Sequence, residues 1–441
     1  MDCTRCTGIC GVESHDCDNP QAAGRIFEPR ESLRYSMPEF NIETSRKQFP
    51  ALNRQRDGRP VVYFDGPAGS QTPQCVIDSI SDYLTNRNAN HGGVFATSRE
   101  NDEALHLAQK TAADFVGCTD AKEIVFGANM TTMTFAFSRS LARTWKSGDE
   151  IIVTQLDHDA NVTPWVMAAQ ERGVTVRQIR IHPEDCTLDL DDFRRKLSDK
   201  TRLVAVGCAS NVVGTINPVR EICELAKRAG AETFLDAVHF APHGRINVHQ
   251  WGCTYLACSA YKFFGPHVGI LWGRRERLEA LSPYKVRPSD NHVPDRWMTG
   301  TPSFEGIAGV RAAIQYVRQI DLANDLTKSF TRINDYESAL GKHLLRGLAE
   351  IPSIRVLGIT DPGRMSERVP TVSIVHRRYP AKKVAEHLAE RDIFVWHGNF
   401  YALALSETLG LEPDGMVRIG LLHYNTKDEI DRLLVALREL S

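Results

Sequence analysis

Short runs of consecutive apolar residues alternate with longer stretches of helical period through the middle of the chain. Val61, Val62, Tyr63 and Phe64 make a first strand, stopped by the turn Asp65-Gly66-Pro67-Ala68-Gly69-Ser70, and Pro73 opens a helix behind it. Residues 101–116 put Leu105, Ala108, Ala112 and Phe115 on one stripe, which predicts a second helix. Strands are predicted at 123–126, 150–154, 175–179, 203–206, 233–235 and 255–257, with helices such as 134–145 and 164–170 between several of them. Apolar strands interleaved with helices predict an α/β domain on a mostly parallel sheet.

From about residue 301 the rhythm changes. Amphipathic helices over 307–320 and 325–349 are followed by strands at 371–375, 392–395 and 416–420, with helices at 381–390 and 427–440. This predicts a smaller α+β unit, giving a large domain over 49–300 and a small one over 301–441. Residues 1–48 are mostly polar, are broken by Gly and Pro, and show no sustained period, so they are expected to form an extension.

Composition narrows the possibilities without choosing among them. The 441 residues are 42% hydrophobic and 24% charged, with a formal net charge of -2. That balance gives no reason to expect a nucleic-acid or membrane partner. No run approaches the roughly 20 apolar residues of a membrane span, and no basic segment leads into an apolar one at the start. A cytoplasmic location is the expectation. The eleven cysteines do not read as a disulfide framework in a chain this long. Cys3 and Cys6 have the spacing of half a zinc or redox site. Cys10 and Cys17 do not complete a second close pair, so no metal is expected.

Candidate chemistry gathers where predicted strands end. Lys262 lies in Ser259-Ala260-Tyr261-Lys262-Phe263-Phe264-Gly265-Pro266, after an apolar run, and Asp236 closes another in Phe234-Leu235-Asp236. An aspartate flanked by Leu235 and Ala237 needs a partner charge. A lysine and an aspartate from neighbouring strand ends suit pyridoxal 5'-phosphate (PLP): the amine links to the aldehyde and the carboxylate keeps the ring nitrogen protonated. Ser259 and Tyr261 offer hydroxyls to the phosphate. Asn129-Met130-Thr131-Thr132, after a strand and before a helix, offers free amides and the Thr131 hydroxyl. His158 follows another strand, where it can lie against the ring and move a proton.

With these residues in order, the chain resembles the fold-type I PLP enzymes of the class V aminotransferase family, and within it the cysteine desulfurase branch. The likeness runs from about Phe49 to the C-terminus. It implies a PLP cofactor, with Asn129 to Thr132 as the phosphate loop and His158 stacked on the ring. It implies Asn211, in Ser210-Asn211-Val212-Val213-Gly214-Thr215, near the cofactor hydroxyl, and His239 in place of a glutamine that bonds the same oxygen. Asp236 becomes the pyridine partner and Lys262 the covalent lysine, while Tyr261 replaces a phosphate-binding histidine. The loop Gly300-Thr301-Pro302 matches one lent to a neighbouring subunit's phosphate, implying a homodimer, and Arg418 matches the binder of the substrate α-carboxylate.

One departure shapes the functional expectation. Desulfurases of this branch carry a cysteine on a mobile loop, whereas the corresponding stretch, 395–403, has none, and no cysteine follows Cys258. His397, Asn399 and Tyr401 there read as substrate-pocket residues, or equally as loop-packing and helix-capping ones. The favoured expectation is a PLP-dependent carbon–sulfur lyase acting on an amino acid without a persulfide relay. Aminotransferase or epimerase chemistry is the main alternative, and a non-catalytic PLP-binding scaffold is a remote one.

Overall fold

A computed structural model of the protein describes residues 40–440. Cys3, Cys6, Cys10 and Cys17 therefore lie outside the described residues. The predicted extension overlaps the described part at its end, where Ile42–Lys47 forms a short helix capped by the Asn41 side chain.

Seven strands form the large sheet: β1 (Ile124–Gly127), β2 (Glu150–Thr154), β3 (Thr175–Ile179), β4 (Thr201–Gly207), β5 (Glu232–Asp236), β6 (Tyr255–Ser259) and β7 (Gly269–Gly273). Their order across the sheet is β1-β7-β6-β5-β4-β2-β3. Strands β2 to β6 run parallel, while β7 lies antiparallel to both neighbours. The apolar runs are continuous because both faces are covered. Val125, Ile151, Val153, Leu203, Phe234 and Tyr255 point into one core, and Ile124, Ile152, Val204, Leu235 and Leu256 into the other.

Helices α1 (Gln74–Asn86), α2 (Ala96–Val116), α3 (Met130–Ala142) and α4 (Thr163–Arg172) belong to this part of the chain. Helix α5 (Phe304–Gln319) packs against α1 and α2, and α6 (Leu326–Ala349) leads into the second sheet. That sheet is antiparallel, with β8 (Ile354–Leu357), β9 (Thr371–His376), β10 (Trp396–Gly398) and β11 (Met416–Gly420) in the order β8-β9-β11-β10. Helices α7 (Ala381–Ala389) and α8 (Lys427–Arg438) cover one of its faces, and their Val384, Leu388, Ile430 and Leu433 share a core with Val417 and Ile419. The architecture is a large mixed-sheet α/β domain with a smaller C-terminal α+β domain. The early strand, assigned at Val62–Tyr63, pairs in parallel with Ile393–Phe394 of the C-terminal part.

Two differences from the predicted elements matter for the site. Helix α3 begins at Met130 and not at 134, with Asn129 as its cap accepting from Thr132 N at 2.8 Å. Strand β10 runs directly into the Asn399–Tyr401 loop, and its register sets Trp396 opposite Arg418.

Candidate active site

The carboxyl ends of parallel strands converge, as they do wherever an open α/β sheet binds a ligand. Beyond β2 stand Asp157 and His158, beyond β4 Asn211, at the end of β5 Asp236, and beyond β6 Lys262. These groups, with Asn129, Met130, Thr131, His239, Ser259 and Tyr261, line one cavity of about 310 Å³.

Register explains the placement of Asp236. It sits opposite Gly207 on one side and Ala257 on the other, at the last rung of the ladder. Its carboxylate accepts from Val238 N at 2.8 Å, and no lysine or arginine among the described residues pairs with it. Burial, with Asp157 as a neighbouring like charge, pushes its pKa from the usual 3.8 up to about 7. Asp157 is raised to about 6 by burial, although Gly207 N at 2.9 Å and Asn161 Nδ2 at 2.8 Å both donate to it.

Lys262 is the converse case. Burial first, and then the Arg418 charge, lower its amine from 10.5 to about 7, with Asp236 partly opposing. Its Nζ donates to the Pro67 carbonyl and stands 4.9 Å from the Tyr261 ring centroid. An amine half-deprotonated near neutrality is both a nucleophile toward an aldehyde and a base.

His158 is held neutral. Burial, Lys262 and Arg418 together lower it to about 4. Its Nδ1 accepts from Ala160 N at 3.0 Å, which puts the neutral ring's proton on Nε2. The Tyr401 ring lies over it, with centroids 5.4 Å apart.

At one end of the cavity, the α3 N-terminus meets the turn after β6. Met130 N donates to Ser259 Oγ at 3.0 Å, which leaves the Ser259 hydroxyl proton for another acceptor. The helix dipole favours an anion at this position. Tyr261 stacks on His267, with centroids 4.9 Å apart at 12°.

Arg418 reaches the site because β11 alternates. Val417 and Ile419 face the small-domain core, so Arg418 faces the other way. It is 5% exposed, donates from Nη1 to Asn211 O at 2.9 Å, and has its guanidinium carbon 4.1 Å from the Phe400 ring centroid. Burial lowers it to about 9. No carboxylate among the described residues forms an ion pair with it. Asp65, whose Oδ1 is buried without a partner, is raised to about 6 mainly by burial.

The remaining sequence candidates fall outside the cavity. Thr301 is exposed and lines a separate hollow of about 280 Å³ with Trp297 and Met298. His397 is exposed on β10. Asn399 is tied into its loop: its Nδ2 donates to Glu412 Oε1 at 3.1 Å and its Oδ1 accepts from Tyr401 N at 3.1 Å. Sequence reasoning missed Asp157, adjacent to His158 in the same strand-end turn, and His267, five residues past Lys262. Both line the cavity.

PLP fits this donor set. A buried carboxylate lacking a cation suits a protonated ring nitrogen, the α3 N-terminus suits a phosphate, and the Lys262 amine suits the aldehyde. The model for aminotransferase class-V matches residues 62–433. The chain belongs to that family. It is 32% identical over 416 residues to a cysteine desulfurase of Serratia proteamaculans, covering 91% of this chain and 98% of the relative. A cysteine desulfurase of Yersinia pseudotuberculosis is also 32% identical, over 418 residues and the same shares of the two chains. Among solved structures, the apo cysteine desulfurase of Thermococcus onnurineus superposes with TM-score 0.82 at 29% identity, covering 90% of this chain and 97% of that one. An Escherichia coli cysteine desulfurase superposes with TM-score 0.80 at 25% identity, covering 91% and 98%. The protein is accordingly a PLP-dependent enzyme of the desulfurase/aminotransferase branch. No helix among the described residues is long and apolar enough to cross a membrane.

Proposed function

We propose that the enzyme is an elimination-type carbon–sulfur lyase that takes a sulfur-containing amino acid and releases its products directly, without a protein persulfide. The observation that carries this reading is the complete acid–base set in a cavity with no thiol. Among the described residues, Cys118, Cys186, Cys208, Cys223, Cys253 and Cys258 are buried and Cys75 is exposed, and none of them lines the site. The loop at 399–401 is also pinned. Asp159 N donates to Tyr401 O at 2.6 Å and Asn211 Nδ2 to Phe400 O at 2.9 Å, so it acts as a wall and not as a swinging arm.

Bound PLP supplies an electron sink for charge developed at the substrate α-carbon. Arg418 binds the substrate carboxylate with its two-pronged guanidinium. Lys262, close to neutrality in charge, accepts the α-proton. Asp236 would hold the sink's protonated nitrogen, and His158 would stand beside it with Nε2–H as a donor. Tyr401 covers the His158 ring and Phe400 the Arg418 guanidinium. Thr301, outside its own chain's cofactor cavity, serves the phosphate of a second copy, so the working unit is a homodimer. Reduced cysteines throughout the described core accord with a cytoplasmic location.

An amino-acid panel with mass detection of keto acid, sulfide and cofactor state tests the reading. Pyruvate and sulfide from cysteine, with no keto-acid acceptor and with Cys3, Cys6, Cys10 and Cys17 all changed to Ser, is the expected result. Strict dependence on an acceptor, α-deuteration without product loss, or loss of sulfide in the serine variant would each refute it.

A further inference from the structure

A line of buried polar side chains that the chemistry above does not use runs away from the cavity wall. His239 lines the cavity, and its Nε2 is 3.0 Å from Thr371 Oγ1 on β9. The ring of His243 stands edge-on to it, with centroids 5.6 Å apart at 69°. His243 Nδ1 is in turn 2.7 Å from Glu337 Oε2, in the middle of α6. His239, His243 and Glu337 are 4%, 2% and 1% exposed.

A 2.7 Å imidazole–carboxylate contact has the length of a charge-assisted bond. It spans two parts of the chain, one after β5 and one on α6. Further along, His423 Nε2 is 2.6 Å from the Tyr316 hydroxyl, while Glu337 Oε1 and His423 Nδ1 are buried without partners. Native interiors rarely leave such atoms unsatisfied, and a cluster that does has room to redistribute a proton.

We propose that the Glu337–His243 pair is a positioning element for the cofactor, locking the imidazole edge that packs on His239 and so fixing the orientation in which His239 faces the cavity. The proposal rests on the PLP reading of the site. Besides His243, the charged and titratable groups acting on His239 are Lys262 after β6, Arg418 on β11 and His158 after β2, and all oppose a proton on it. Glu337 faces His243, and burial raises its carboxyl above the usual range. His239 and His243 share a segment, so a change at Glu337 reaches the cavity through the His243 and His239 rings.

The test is the pH titration of visible absorbance in the cofactor-loaded enzyme. Glu337→Gln preserves shape and removes the carboxylate. The midpoint for deprotonating the bound cofactor should move by about half a pH unit or more as His239 loses its fixed orientation. In a His239→Gln background the same change should move the midpoint by less than half as much. An unchanged midpoint in Glu337→Gln, or a shift surviving in full without His239, overturns the proposal. If Glu337→Gln does not fold, His243→Asn removes the same imidazole edge and should move the midpoint by a similar amount, and no shift there overturns it equally. A parent enzyme that shows no visible cofactor band would overturn the PLP reading itself, a distinct outcome.

Discussion

Replacing Asp236 with Asn should strengthen the apo-protein and weaken the holoenzyme. The carboxylate is 8% exposed and its pKa is raised from 3.8 to about 7, chiefly by burial. An acid whose folded pKa lies above its unfolded value carries no penalty below pH 4. The penalty then grows as the unfolded state ionises first and levels off above about pH 7, where both states are charged. At about 1.4 kcal/mol per unit, the full cost at pH 8 is roughly 4 kcal/mol. Asparagine keeps the shape and an oxygen for Val238 N, so Asp236→Asn should gain about 2–4 kcal/mol in apo-protein at pH 8 and nothing near pH 4.

Cofactor reverses the sign. A protonated ring nitrogen gives Asp236 the cation it lacks, and removing one partner of such a buried pair costs roughly 3–5 kcal/mol, or about a hundredfold to a few thousandfold in affinity. Thermal unfolding of both proteins across pH, with and without PLP, together with fluorescence titration of PLP into apo-protein, measures each limb. An apo variant melting no higher than its parent at pH 8, or a variant binding PLP as tightly as its parent, would refute the reasoning.

Lys262 in apo-protein should acylate selectively near neutral pH, with its rate rising through a midpoint of about 7, as mass mapping after limited reagent would show. Arg418→Lys should leave the cofactor spectrum intact and raise substrate KM roughly a hundredfold, because a point charge cannot replace the two-pronged contact; steady-state kinetics check this. Gly420→Ala drives a methyl into the Pro67 ring. The resulting displacement of the turn whose carbonyl holds the Lys262 amine should cost about 1–3 kcal/mol, read by denaturant unfolding, and slow turnover as well.

The residues that line the cavity at the strand ends are legible in the sequence because each closes an apolar strand, where a polar side chain has no packing reason to be. Asp236 after Phe234-Leu235 and Lys262 after the Tyr255–Ser259 strand are of this kind. Strand β7 was not legible: Gly-Ile-Leu-Trp-Gly is a short apolar run bounded by glycines, and only its antiparallel pairing with β1 and β6 distinguishes it from a loop. The start of α3 was misplaced because Thr131 and Thr132 have low helix propensity. The Asn129 cap and the bond from Met130 N to Ser259 Oγ, a contact across the fold, settle the helix start four residues earlier. Tyr401 over His158 depends on how β10 delivers its loop, and both Phe400 and Tyr401 adopt left-handed backbone there, at φ 56° and 58°. No spacing in the sequence encodes that.

The electrostatics of the site also explain why a guanidinium is buried without a counter-ion. Arg418 contributes, after burial, to the lowered basicity of Lys262, and it acts in the same sense on His158. While its charge is uncompensated, the amine stays poorly basic, suited to attack on an aldehyde. On the proposed reading, a substrate carboxylate seated on Arg418 would cancel that field when the α-proton must be accepted, so Lys262 would become a stronger base only with substrate in place. The desolvation cost of Arg418 is thus returned on binding, and a ligand without the carboxylate would leave the lysine as it was. An amine lacking a carboxyl group should bind weakly and also fail to exchange its α-hydrogen with solvent at saturation. Rapid exchange from such an amine, followed by NMR in deuterated buffer, would show that Arg418 and Lys262 act independently.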